Sequence, residues 1–299
     1  MSTDLEEGGA AEMCCASCGI AEVDDVKLQK CDDCDLVRYC SDKCHEDNRP
    51  THERACKERA TELRDEILFK QPESSYLGDC PICFLPISVE FFVQSCCSKM
   101  ICDGCSYANA RRETKQRQTC PFCRHPVPRS KEEIDKNNNK RVAANDPIAL
   151  MQMGMDYHKK GENEAAVDHL TKAAELGFVE ANFKLAFFYE KGLGVEEDEK
   201  KALYHYEEAA IGGHCDARYA VVFHEMQNNR SERAIKHLII AANLGHDHSM
   251  KVLKMFYSGG RISKDQFAST LRAYQAAVDA TKSPQREAAA KIMAAEGNS

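Results

Sequence analysis

Ala173-Ala174-Glu175-Leu176-Gly177 recurs as Ala209-Ala210-Ile211-Gly212-Gly213 and again as Ala241-Ala242-Asn243-Leu244-Gly245, at intervals of 36 and 32 residues. Units of this length cannot bury a core alone, and periods in this range indicate helix pairs that stack on their neighbours. Upstream of each signature the apolar positions align. Ala166, Leu170 and Ala173 in one unit match Ala202, Tyr206 and Ala209 in the next, and Ala234, Leu238 and Ala241 in the third. Seven residues span about two helical turns, so each trio forms one stripe on a second helix. First helices show Ala149, Met153 and Tyr157, then Ala181, Leu185 and Tyr189. Small residues on the stripe let paired helices approach closely, and the glycines after it are suited to end the second helix with a left-handed residue.

The fullest unit reads Tyr189-Glu-Lys-Gly-Leu-Gly-Val-Glu-Glu-Asp-Glu-Lys-Lys-Ala202. It resembles the Sel1-like repeat, a relative of the tetratricopeptide repeat, whose implied role is to hold protein partners in an assembly. The resemblance covers residues 146–280 as about four units. The first and third have shortened loops, and the last, His246 to about Ala280, is degenerate, as expected of a cap.

Outward from the repeats the composition changes. Sixteen of the 17 cysteines lie between Cys14 and Cys123, leaving only Cys215 in the repeat region. No stretch approaches the ~20 apolar residues needed to span a bilayer, and Met1 to Glu12 is acidic where a secretory leader would be basic and then apolar. The chain is read as intracellular, cytoplasmic or nuclear, with no membrane partner. Close-spaced cysteines in a reducing compartment are metal ligands before they are disulfides.

Residues 15–56 present Cys15-x-x-Cys18, Cys31-x-x-Cys34, Cys40-x-x-x-Cys44 and His52-x-x-x-Cys56. Eight donors make two tetrahedral zinc sites, with each close pair supplying half of one. Only Cys15 has the two-residue spacer to Cys18, so Cys14 is taken as the spare thiol. The order, including Tyr39-Cys40, resembles the MYND zinc finger. That family's interleaving implies one zinc on Cys15, Cys18, Cys40 and Cys44 and a second on Cys31, Cys34, His52 and Cys56. The family docks short proline-rich peptides, but Arg49 stands where it usually has Trp, and His45 where Gln is common. Residues 57–70 carry apolar Ala60, Leu63, Ile67 and Leu68 at helical spacing and are expected to form a helix leaving the finger.

Residues 80–123 run Cys80-Pro81-Ile82-Cys83, then Cys96-Cys97-Ser98-Lys99-Met100-Ile101-Cys102-Asp103-Gly104-Cys105, and close on Cys120-Pro121-Phe122-Cys123. They resemble an all-cysteine RING finger. The family's cross-brace implies a third zinc on Cys80, Cys83, Cys102 and Cys105 and a fourth on Cys96, Cys97, Cys120 and Cys123, making four Zn²⁺ per chain. Touching ligands Cys96 and Cys97 depart from the family's usual spacing, in which histidine comes fourth. RING domains of ubiquitin ligases grip a ubiquitin-conjugating enzyme and hold its thioester-linked ubiquitin in a reactive pose, which is catalysis by orientation. The resemblance places that grip on Ile82 and Pro121 and a bridging cation on Arg124, with Tyr107 replacing the usual central Trp. Two functions stay open: a RING-type ubiquitin ligase using the repeats for substrate or partner binding, and a non-catalytic zinc-finger and repeat adaptor.

The expected architecture is mainly α, with two small cross-braced zinc modules followed by an all-α solenoid. Its divisions are an acidic disordered N-terminus (1–13), the MYND-like finger (14–56), a helix and linker (57–79), the RING-like finger (80–124), a linker or short polar helix (125–145), the repeats (146–280) and a tail (281–299) of frayed helix and disorder. The formal charge of −8, made more negative by zinc-bound thiolates, disfavours nucleic acid. The cations Arg111, Arg112, Lys115, Arg117, Arg124 and Arg129 lack interleaved aromatics and read as a solvated face. No glycine-rich phosphate loop or catalytic triad signature is present, so no catalytic residue is nominated.

Overall fold

The computed structural model describes residues 14–20, 22, 27–34, 37–88, 91–112 and 119–296. The acidic segment 1–13, Lys115 and Arg117 lie outside them. The chain divides into two units, residues 1–70 and 71–299, and among the described residues it contains twelve helices and four short strands.

In the first unit, strands β1 (Gln29–Lys30) and β2 (Arg38–Tyr39) pair antiparallel, and helix α1 (Asp42–Leu68) follows. Ser41 caps α1 by accepting from the Cys44 amide, the expected use of serine at this position. The sequence places a helix only from residue 57, but α1 starts fifteen residues earlier and carries Cys44, His52 and Cys56 on its length. Polar residues hid the early turns, since the ligands themselves are what this stretch buries. The core here consists of Cys15, Leu28, Cys31, Cys34 and Tyr39, which leaves very little hydrocarbon.

The second unit opens with strands β3 (Phe91–Val93) and β4 (Met100–Cys102), an antiparallel pair, and helix α2 (Asp103–Ala110). Leu77, Ile87 and Ile101 pack with Cys80, Cys102 and Cys105 between them. Helix α3 (Lys131–Ala143), capped by Ser130, then leads into the repeats. The span read as a linker or short polar helix is therefore helical over most of its length. Its Val142 packs with Leu150, Ala173 and Ala181, and Arg141 pairs with Asp146 at the start of the next helix.

The solenoid comprises α4 (Pro147–Lys159), α5 (Asn163–Glu175), α6 (Val179–Lys191), α7 (Glu199–Ile211), α8 (Cys215–Gln227), α9 (Ser231–Asn243), α10 (Asp247–Ser258) and α11 (Lys264–Ala280). The three stripes read from the sequence are buried throughout. Helices α5, α7 and α9 end the same way. Gly177, Gly213 and Gly245 are left-handed, and the following residue donates back to Ala173, Ala209 or Ala241, the six-to-one bond of a Schellman cap. Gly194 is needed for space as well as conformation: a Cβ there, at φ +69°, would lie 2.4 Å from the carbonyl carbon of Asn163. Gly194→Ala is expected to cost at least about 2 kcal/mol through strain and collision, read as a lowered thermal midpoint of the repeats.

Helix α12 (Pro284–Glu296) departs from the expectation of a frayed tail over 281–299. It packs on α2, with Ala289 and Arg286 buried. Ser283 caps it and Pro284 fills its first position, an arrangement that preorganises a helix start. Among the described residues, no helix is long and apolar enough to cross a membrane.

Candidate metal centres

Three tight knuckles share one backbone design. In each the first cysteine amide bonds the carbonyl five residues on, and the residue four on bonds back to the cysteine carbonyl: Cys15 with Ile20 and Gly19, Cys80 with Leu85 and Phe84, Cys120 with His125 and Arg124. The fifth residue is left-handed in all three, at φ +76° for Gly19, +56° for Phe84 and +61° for Arg124. A two-residue spacer folded this way aims both sulfurs at one point.

The structure brings together four donor groups: Cys15, Cys18, Cys40 and Cys44; Cys31, Cys34, His52 and Cys56; Cys80, Cys83, Cys102 and Cys105; and Cys96, Cys97, Cys120 and Cys123. Within each, the donor atoms lie within 4.8 Å of one another. Tetrahedral zinc with bonds of about 2.3 Å to sulfur places its sulfurs about 3.8 Å apart. The separations fit: 3.5 Å for Cys18 and Cys40, 3.7 Å for Cys31 and Cys56, 3.7 Å for Cys83 and Cys102, and 3.9 Å for Cys97 and Cys120. They are far too long for disulfides, and no cysteine is joined in a disulfide. The chain binds zinc, and the metal supplies cross-links that these small modules lack.

Adjacent Cys96 and Cys97 both reach their group. A turn from Gln94, which accepts from the Cys97 and Ser98 amides, with Ser98 left-handed at φ +46°, reverses the chain immediately after them. Cys96 Sγ then lies 3.4 Å from Cys123 Sγ, and Cys97 reaches Cys120. Cys14 is exposed and outside the groups. Cys215 is also outside them, and burial pushes its thiol up to about 12.

On the first finger, His45 lies beside Tyr39 with ring centroids 5.0 Å apart. A cleft there is lined by His45, Arg49, Glu53 and Lys57 together with ligands. That lining is charged where an aromatic anchor would be needed for a proline-rich peptide. On the second module, Ile82 and Pro121 are half-buried and Arg124 is exposed. Phe84 and Phe122 beside them are 75% and 42% exposed. Tyr107 is half-buried, and its hydroxyl accepts from Arg111.

Two groupings were missed in the sequence. Tyr76 donates to Glu180 at 2.6 Å, His214 lies 3.0 Å from the same oxygen, and the Tyr76 and His214 rings stack 4.4 Å apart. Burial pushes the Glu180 carboxyl up, but His214, Lys184 and Tyr76 outweigh it and hold it at about 2. The cluster fastens segment 71–77 to the repeats, with Gln71 reaching Ile240 and Asn243. The second grouping centres on Arg286, which bonds the chain around Cys83. Helix α12 was read only as part of a frayed tail; the Ser283-Pro284 pair is the start signal that could have marked it.

These features define a class by architecture, zinc-binding modules joined to a solenoid of helical repeats. More particularly, the MYND finger family model matches residues 15–56, and the Sel1 repeat model matches residues 147–178, 179–214 and 227–246. Neither match extends over residues 80–123. No curated protein matches the chain significantly. Among solved structures, a Sel1 repeat protein from Oxalobacter formigenes is 22% identical with a TM-score of 0.44, covering 50% of this chain and 65% of its own. The protective antigen c5321 of uropathogenic Escherichia coli strains, which displays an SLR fold, is 17% identical with a TM-score of 0.39, covering 62% of this chain and 39% of its own. This chain therefore spans less than two thirds of either relative's length.

Proposed function

We propose that the protein is a RING-type ubiquitin ligase of the cytoplasm or nucleus, whose repeats hold a substrate or partner beside the second zinc module. The observation that carries this reading is Arg124. It is exposed directly after the last ligand, on the left-handed residue that closes the Cys120 knuckle. A planar guanidinium there can donate to two carbonyls at once, as bridging a conjugating enzyme and ubiquitin requires. Ile82 and Pro121 would supply the apolar grip, with exposed Phe84 and Phe122 beside them.

Incubating the full zinc-loaded chain with ubiquitin, activating enzyme and a panel of conjugating enzymes should yield ubiquitin chains. Ile82→Ala and Arg124→Ala should each reduce the rate at least tenfold with zinc content unchanged. Silence across the panel, with partners still captured by both variants, would favour the adaptor.

A further inference from the structure

Arg286 is 6% exposed although it lies thirteen residues from the end of the chain. Its guanidinium reaches into the first knuckle of the second zinc module. Nη1 donates to the carbonyl of Pro86 at 2.6 Å and to that of Thr281 at 2.9 Å, and Nη2 donates to the carbonyl of Leu85 at 3.1 Å and to Cys83 Sγ at 3.4 Å. The backbone of α12 approaches just as closely. A Cβ on Gly104, between ligands Cys102 and Cys105, would lie 2.7 Å from Arg286 Cγ and 2.9 Å from its amide nitrogen. Only glycine lets the two helices meet here.

A buried guanidinium needs anionic or carbonyl partners. This one finds two carbonyls of the knuckle and a sulfur of the Cys80, Cys83, Cys102 and Cys105 group. A zinc held by four thiolates carries a net charge of about −2, and hydrogen bonds to its sulfurs compensate that charge and fix ligand orientation. From these contacts we infer that Arg286 is an outer-shell positioning residue for the third zinc site. The metal site of the second module is then completed by the far end of the chain, some 200 residues away in sequence. The inference stands independently of ligase activity, since it concerns metal retention.

The test uses the full chain loaded with zinc and titrated with a competing chelator, a metallochromic dye reporting the metal released. Arg286→Ala should weaken one zinc of four by about 10- to 100-fold, the effect typical of lost outer-shell partners, and leave three as in the parent. Gly104→Ala leaves Arg286 in the sequence but prises α12 away, and should weaken the same single site. In cadmium-113-substituted protein, Arg286→Lys keeps the charge and loses the fork; one resonance of four should move, which a purely packing role for α12 would not cause. Parent-like release of all four zincs from both the Arg286→Ala and Gly104→Ala chains would overturn the inference. So would an unmoved cadmium spectrum in Arg286→Lys.

Discussion

Stripping zinc with a strong chelator at neutral pH is expected to unfold both finger modules while α4–α11 remain helical. The asymmetry follows from what each part buries. Among the described residues of the first finger, Leu28 and Tyr39 are the buried apolar side chains of the core cluster that are not themselves ligands. Fully burying two such residues contributes about 3–6 kcal/mol, against ~10–16 kcal/mol of apparent binding energy per structural zinc. The second module adds Leu77, Ile87 and Ile101, still too few to order some forty residues at about 1–2 kcal/mol of backbone entropy each. The solenoid, by contrast, buries its alanine, leucine and phenylalanine stripes without metal. Elemental analysis should give four zincs per chain before treatment. Afterwards, proteolysis should cut within 14–123 and spare the repeats, with a thermal transition persisting. Resistance of the fingers to protease after complete zinc loss would contradict the account.

Acid should act in the same direction as the chelator. Without a dication, the neighbouring sulfurs of Cys18 and Cys44 push the Cys40 thiol up to about 12, and burial followed by Cys31 does the same to Cys56. Such crowded thiols ionise together only around a cation, so binding zinc expels protons. Thiols that coordinate the metal are deprotonated. The stability they contribute is present at neutral pH and lost as falling pH lets protons displace the metal.

What the sequence revealed and what it hid have separate physical causes. The stripes Ala166, Leu170 and Ala173 and their counterparts were legible because helical packing repeats locally, and each Gly177-type cap closes on atoms five residues away. The donor groups were legible for a similar reason: a two-residue spacer fixes half a site, and the family resemblance supplies the pairing of halves. Arg286 was hidden because its partners lie at Cys83, Leu85 and Pro86, and nothing in a lone arginine on an alanine-rich helix announces a partner so remote. Tyr76 was hidden likewise, its partners Glu180 and His214 belonging to repeats that looked self-sufficient. The early turns of α1 escaped because helical periodicity is read from apolar residues, and there the buried side chains are metal ligands such as His52.

Glu225→Ala is expected to be the most damaging single substitution in the solenoid outside its apolar stripes. Glu225 is 2% exposed and is the acid at the centre of a buried polar cluster on α8 and α9. Arg233 donates to it at 2.9 Å, and Arg230 pairs with its other oxygen at 2.7 Å. His237 lies 3.9 Å away and is itself fully buried. Beyond His237 comes Arg218, 1% exposed, which spans 3.4 Å to the imidazole and donates to the Ala210 carbonyl at 2.6 Å. Removing the carboxylate takes away the acid that Arg233 and Arg230 both pair with, and breaking a buried pair from one side typically costs about 3–5 kcal/mol. For a unit of this size that is roughly a 10 °C fall in midpoint. The pH dependence has a definite sign. Burial pushes the Glu225 carboxyl up, but His237 and Arg233 outweigh it and hold it below the usual range, while burial holds His237 below its usual value. Both groups are thus depressed in the folded state. Their contribution is complete above the unfolded values of 4.5 and 6.5, and it is lost as pH falls through the folded ones. His237 begins to oppose folding below about pH 6.5, so His237→Gln should flatten the decline in midpoint between pH 7 and 5. A Glu225→Ala midpoint within a degree of the parent would show that the arginines find water or other partners and that the carboxylate is dispensable.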